Sequence, residues 1–127
     1  MSRHKAISKK TRMTLYEAYY HKCAYCGCKM DYKDMQIDHI KSVYINTDIK
    51  KSMTDEDMYD IRNLLPACRQ CNFYKSSMEL EDFRKRLTTT MMENLRKGFT
   101  YRLALKYGLI EECVKPIQFY FETLNRD

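Results

Sequence analysis

Apolar positions along this chain recur in short patches, and their spacing changes from helical to alternating and back. Thr14-Leu15-Tyr16-Glu17 reads as a capping box, with the threonine hydroxyl and the glutamate each satisfying an orphan backbone amide. It predicts a short helix to about His21 with Leu15, Ala18 and Tyr19 on the buried side. Met35 to Ile40 alternates like a strand with Ile37 inward. Ile61 to Leu65 reads as the second strand, stopped by Pro66, which has no amide to donate. Between the two, residues 41–60 are polar, lack glycine and proline, and read as an insertion loop with a helical turn after Thr54. Cys68 to about Lys75 is a short helix. Ser76-Ser77-Met78-Glu79 is a second capping box and opens the longest helix, where Leu80, Phe83, Leu87 and Met91 make one buried stripe. The run Thr88-Thr89-Thr90 weakens that helix midway and marks a kink or break. Gly98 is a stop, Tyr101 to Tyr107 a further helix capped by Gly108, and the alternation of Ile117, Phe119 and Phe121 after Pro116 a C-terminal strand.

This is a chain of 127 residues, enough for one modest core. No apolar run approaches the ~20 residues that span a bilayer. Met1-Ser2-Arg3-His4-Lys5 leads into no signal-type stretch, so the expectation is a cytoplasmic protein of a bacterium or phage-infected cell, with no membrane partner. The net charge of +6 makes polyanions plausible partners. Basic residues crowd residues 1–13, the Lys50-Lys51 pair, and the stretch from Arg84 to Lys97, while acidic ones gather in Asp55-Glu56-Asp57 and Glu79 to Asp82.

Six cysteines in a chain with nothing directing export point to metal or redox use rather than disulfides. Cys23-Ala24-Tyr25-Cys26 and Cys68-Arg69-Gln70-Cys71 share one spacing, and each presents two sulfurs on one side of a tight bend. Two such turns facing each other complete a tetrahedral zinc shell. The separation between them exceeds that of a compact zinc ribbon, so the metal would clamp distant segments and close a loop containing Asp38, His39 and Asn63. A redox dithiol or cysteines packed as small hydrophobes are the rival readings. Cys28 and Cys113 lack partners at ligand spacing, with Cys28 an alternative to Cys26.

Asp38-His39, Asn63 and Asn72 offer a second chemistry. A histidine of near-neutral pKa suits activation of a water. Carboxylate and amide oxygens suit a hard divalent ion such as Mg²⁺ or Mn²⁺. Taken singly, Asn63 reads as a turn residue, Asn72 as a helix-start residue and the Asp-His pair as a chance neighbour. Their order together with both cysteine pairs is another matter. Cys23-x-x-Cys26, Asp38-His39-Ile40 and Asn63-Leu64-Leu65-Pro66-Ala67-Cys68-x-x-Cys71-Asn72-x-x-Lys75 resemble the motif of the HNH nucleases, in the variant with asparagine as the last residue. The resemblance runs from Cys23 to about Phe83, and small phage and bacterial members are the most similar.

The resemblance implies an α+β fold: a ββα-metal core stapled by a four-cysteine zinc site, with additional helices and the short C-terminal strand. It implies a metal-dependent DNA endonuclease with His39 as general base, Asp38 and Asn72 as ligands of the catalytic cation, and Asn63 steadying the loop and orienting the base. Cys23, Cys26, Cys68 and Cys71 would hold structural zinc. Lys75 stands where the family often has a lysine near the phosphate, and Lys41, which replaces a common proline, is a further candidate phosphate contact. The expected organisation is a basic arm over residues 1–13, a nuclease core over 14–83, and an extension over 84–127 in the same compact unit, offering a surface for a protein partner. The rival reading is a non-catalytic, zinc-stabilised nucleic-acid-binding module, which needs the cysteines and the charge but not Asp38, His39 and Asn72 in that order.

Overall fold

The computed structural model describes residues 6–40 and 61–124. The expected insertion loop, its helical turn after Thr54, and Lys41 lie outside the described residues. The chain divides into two compact units, one of residues 1–79 with 118–127 and one of Leu80–Ile117.

The first unit opens with α1, Lys9–Ala18. Its cap is Ser8, whose hydroxyl accepts from the Thr11 amide at 3.1 Å. The helix thus starts well before the expected Thr14. Thr14 lies inside it, its hydroxyl turned back to the Lys10 carbonyl at 2.9 Å, the alternative use of a threonine hydroxyl within a helix. Leu15 is buried as expected.

The sheet has two antiparallel strands, β1 (Gln36–His39) and β2 (Leu64–Ala67), in the register Gln36↔Ala67, Ile37↔Pro66, Asp38↔Leu65 and His39↔Leu64. Pro66 does not stop β2 but belongs to it. The Ile40 amide donates to the Asn63 carbonyl at 2.8 Å, which makes 40/63 a hydrogen-bonded pair. Alternation then puts Ile37↔Pro66 at a non-hydrogen-bonded position, where a missing amide costs the ladder nothing. The Pro66 carbonyl instead accepts from Ala24 at 2.8 Å and ties the first cysteine turn to the sheet. Residues Ile61–Asn63 form a 3-10 turn rather than strand. Ile37 is only half-buried, while its polar neighbours Asp38 and His39 are buried.

Helix α2 is Arg69–Lys75, with Cys68 as its extended N-cap, close to the expected range. It ends at Ser76, whose φ of +53° closes the turn, so the second expected capping box is not used as one. The final segment is not a strand. Phe119 leads into a short helical turn, here α6, at Tyr120–Thr123, and its amide donates to Glu122 Oε1 at 2.9 Å. The alternation of aromatics has another cause. The amides of Tyr120 and Phe121 donate to the carbonyls of Tyr25 and Ala24 at 3.0 and 2.8 Å, and Phe119 is buried beside Tyr25.

The second unit is helical: α3 (Leu80–Lys85), a π-turn over Arg86–Thr90, α4 (Met91–Arg96) and α5 (Phe99–Lys106). The break expected at Thr88–Thr90 is that π-turn, where the Thr88 hydroxyl reaches the Arg84 and Lys85 carbonyls at 3.3 and 3.2 Å. Phe83 is buried, and Leu80, Leu87 and Met91 of the same stripe are half-buried. No helix among the described residues is long and apolar enough to cross a membrane.

Candidate active site and metal centre

Two turns bring four sulfurs together. In the first, the Cys23 amide donates to the Cys28 carbonyl at 2.8 Å and the Gly27 amide to the Cys23 carbonyl at 2.9 Å. Gly27 takes φ +79°, a conformation that side chains disfavour. In the second, the Cys68 sulfur accepts the Cys71 amide at 3.5 Å as α2 begins. The sulfurs of Cys23, Cys26, Cys68 and Cys71 all lie within 4.8 Å of one another, and those of Cys26 and Cys68 are 3.9 Å apart. A tetrahedron of Zn–S bonds of ~2.3 Å has an edge of about 3.8 Å, so this cluster is the size of a zinc shell. Of the two candidates left open by spacing, the cluster takes Cys26 and leaves Cys28 outside.

The crowded thiols perturb one another. The Cys23 thiol is drawn down to about 5, chiefly by a hydrogen bond with Cys71, whose own thiol is pushed up by the same bond and by burial. Burial raises Cys26, and raises Cys28 to about 12. A divalent cation placed among these sulfurs would hold its coordinated thiols deprotonated.

The carboxylate–histidine pair sits on β1 between these turns. Asp38 is buried, and two donors meet on its Oδ2: the Tyr25 hydroxyl and the Lys75 ammonium at 2.9 Å. Lys75 is fully buried and also reaches the His39 carbonyl oxygen at 3.4 Å. From there its ammonium neutralises Asp38 instead of presenting itself to a phosphate. Burial raises the Tyr25 phenol well above its ordinary range, and the Asp38 carboxylate adds to that shift, so the hydroxyl keeps its proton and donates.

Gln36 is two residues before Asp38 and therefore on the same face of β1. Its Oε1 accepts from the Asn72 amide nitrogen at 2.7 Å. Asn72 and Lys75, three apart on one face of α2, thus lie along the seam that Gln36 and Asp38 form on the strand. Holding the nitrogen of Asn72 turns its oxygen into the atom that could ligate a cation, and among the described residues no hydrogen bond falls on Oδ1 of Asp38. A carboxylate and an amide oxygen are hard donors, the kind a divalent cation such as Mg²⁺ takes. His39 is buried at the end of β1, next to the bend at Ile40, and alternation turns it to the other side of the strand from Asp38. Asn63 is buried immediately before β2, its carbonyl receiving the Ile40 amide.

Tyr25 and Gln36 escape sequence reasoning. In the sequence Tyr25 reads only as a spacer between two cysteines. Gln36 gives a faint signal, being in phase with Asp38 on the strand.

A two-stranded antiparallel sheet and one helix around an Asp-His pair, with four cysteine sulfurs gathered at the helix start, is a ββα-metal arrangement. Residues 23–77 match the family model of the HNH endonucleases. It is 36% identical over 66 residues to the SPbeta prophage-derived protein YoqL of Bacillus subtilis (strain 168), which is assigned to the HNH endonucleases in its name. That match covers 49% of this chain and 26% of YoqL. Among solved structures it is similar in fold to the Type II-C Cas9 enzyme from Actinomyces naeslundii, with a TM-score of 0.51 at 23% identity over 66% of this chain and 9% of the Cas9 chain. The chain therefore spans about a quarter of its curated relative and a small part of the Cas9 enzyme.

Proposed function

We propose that this protein is a DNA endonuclease that depends on a divalent metal, Mg²⁺ or Mn²⁺, and nicks phosphodiester bonds. His39 takes the proton of the attacking water as general base, a role that suits an imidazole. Asp38 and Asn72 hold the cation through carboxylate and amide oxygens. Asn63 steadies the turn into β2 and, through the Ile40 amide, the end of the strand that carries His39. The cation, when bound, neutralises charge on the scissile phosphate and stabilises the leaving oxygen. Cys23, Cys26, Cys68 and Cys71 hold zinc, which fixes α2 against the sheet. The net charge of +6 favours a polyanionic substrate, with Lys41 a candidate phosphate contact, and Lys75 serves as the counter-charge of Asp38.

The observation that carries this reading is the seam between β1 and α2. It aligns the carboxylate of Asp38 and the amide of Asn72, each held by a dedicated partner. A zinc module that only binds nucleic acid has no use for that arrangement. Supercoiled plasmid incubated with the zinc-loaded protein and Mg²⁺ or Mn²⁺ should convert to the nicked form. His39→Ala should retain fold and zinc while nicking roughly 10²–10⁴-fold more slowly, the usual worth of a general base. Binding of DNA without any nicking by the parent, or nicking by His39→Ala at the parental rate, would refute the mechanism.

A further inference from the structure

We propose that Tyr25 is the positioning residue of the metal-binding carboxylate and that the C-terminal segment holds Tyr25 in place. This rests on the reading of Asp38 as a cation ligand. The Tyr25 hydroxyl and the Lys75 ammonium converge on one oxygen of Asp38, Oδ2. Two donors on a single oxygen fix the rotation of the carboxyl plane and direct Oδ1 toward the cation. Lys75 supplies charge from α2, and Tyr25 supplies direction from the first cysteine turn.

Tyr25 is itself gripped twice. Its backbone lies between Cys23 and Cys26, where bound zinc would fix it, and its carbonyl receives the Tyr120 amide at 3.0 Å. Its ring meets Phe119 edge-on, with centroids 5.4 Å apart, and Phe121 at 6.3 Å, while Phe119 and Phe121 stack on each other. Aromatic edge contacts of this kind have a preferred geometry and so orient the ring as well as bury it. The match to the HNH family ends at residue 77, so this support comes from outside the matched stretch. The C-terminal segment acts on the site through Tyr25.

The test is Mn²⁺ binding to the full, zinc-loaded chain without DNA, followed by electron paramagnetic resonance of the free ion. Partners that orient metal ligands are typically worth 10–100-fold in affinity. Tyr25→Phe removes only the hydroxyl, and should weaken Mn²⁺ binding by roughly 10-fold or more while zinc content stays at one equivalent. Phe119→Leu, which keeps the hydroxyl but loosens the ring, should weaken it by a smaller factor and stands in if Tyr25→Phe does not fold. Asp38→Asn should remove the site. A merely structural tyrosine would lower Tm and leave Mn²⁺ affinity unchanged, and parental affinity in folded Tyr25→Phe (or Phe119→Leu in its place) would overturn the proposal. Parental affinity in Asp38→Asn would overturn the cation reading itself and this inference with it.

Discussion

Replacing Lys75 with methionine takes a charge away from a place closed to bulk solvent. The ammonium is fully buried, 2.9 Å from Asp38 Oδ2 and 3.4 Å from the His39 carbonyl oxygen. Methionine keeps the unbranched stem and most of the volume, so the cavity is small and the loss is that of the pair. Removing one member of a buried ion pair costs on the order of 3–5 kcal/mol, because the other is left uncompensated. Here the Tyr25 hydroxyl still donates to Asp38, and a hydrogen bond to a charged group contributes about 1.5–3 kcal/mol. The loss should therefore fall at the lower end, ~3 kcal/mol. At roughly 3–6 °C per kcal/mol for a chain of this size, Tm should drop by about 10–15 °C. Thermal unfolding of the zinc-loaded protein, followed by circular dichroism without added Mg²⁺, reads this directly. Asp38→Asn combined with Lys75→Met leaves no charge behind and keeps an acceptor for Tyr25, so it should recover most of the loss. A single variant within ~1 kcal/mol of the parent, or a double variant whose loss is the sum of the two singles, would refute the buried pair.

The protein should carry one zinc through Cys23, Cys26, Cys68 and Cys71. Structural zinc contributes on the order of 10 kcal/mol or more in small domains, so chelation should unfold the first unit, and elemental analysis finding folded protein without zinc would dispose of the site. Asn72→Ala should raise the Mg²⁺ concentration needed for half-maximal nicking, whereas Asn72→His should retain activity because imidazole is an alternative ligand; a metal titration of each variant decides. Gly27→Ala should cost about 1–2 kcal/mol, since φ is +79° and the added carbon would meet Tyr120 only at ordinary contact, 3.5 Å; unchanged urea stability would contradict the positive φ.

The chemistry is more legible in the sequence than the element ends are. Both cysteine turns, Asp38-His39 and the helix bearing Asn72 announce themselves by spacing, which survives whatever the backbone does between them. The caps do not. Thr14 and Ser76 each satisfy a capping pattern, but Ser8 captures the start of α1, and Ser76 is drawn into the positive-φ turn that ends α2. Pro66 misleads because a two-stranded ladder has positions that need no amide, and register is invisible before pairing. Phe119 and Phe121 alternate like a strand, yet they alternate because both rings must reach Tyr25. Lys75 is the hardest residue to read. The resemblance sets it near a phosphate, and its burial is tolerable because of the tertiary partner Asp38.

Helix α2 explains why the cysteine cluster and the proposed catalytic donors belong to one device. Seven residues form a helix too short to persist alone in water. Cys68, Cys71, Asn72 and Lys75 fall at intervals of three, one and three, which puts them along one face. At the start of that face two sulfurs join Cys23 and Cys26; further along, Asn72 holds Gln36 and Lys75 holds Asp38. The face is thus pinned at both ends, by the cysteine cluster and by the β1 seam, and the pinning fixes its rotation. A turn of about 100° per residue means that a one-residue slip at the cysteines would swing Asn72 off the strand altogether. Zinc bound by these cysteines would therefore set the rotational register of the helix that presents Asn72, and through Tyr25 on the other cysteine turn it would set the orientation of Asp38 as well.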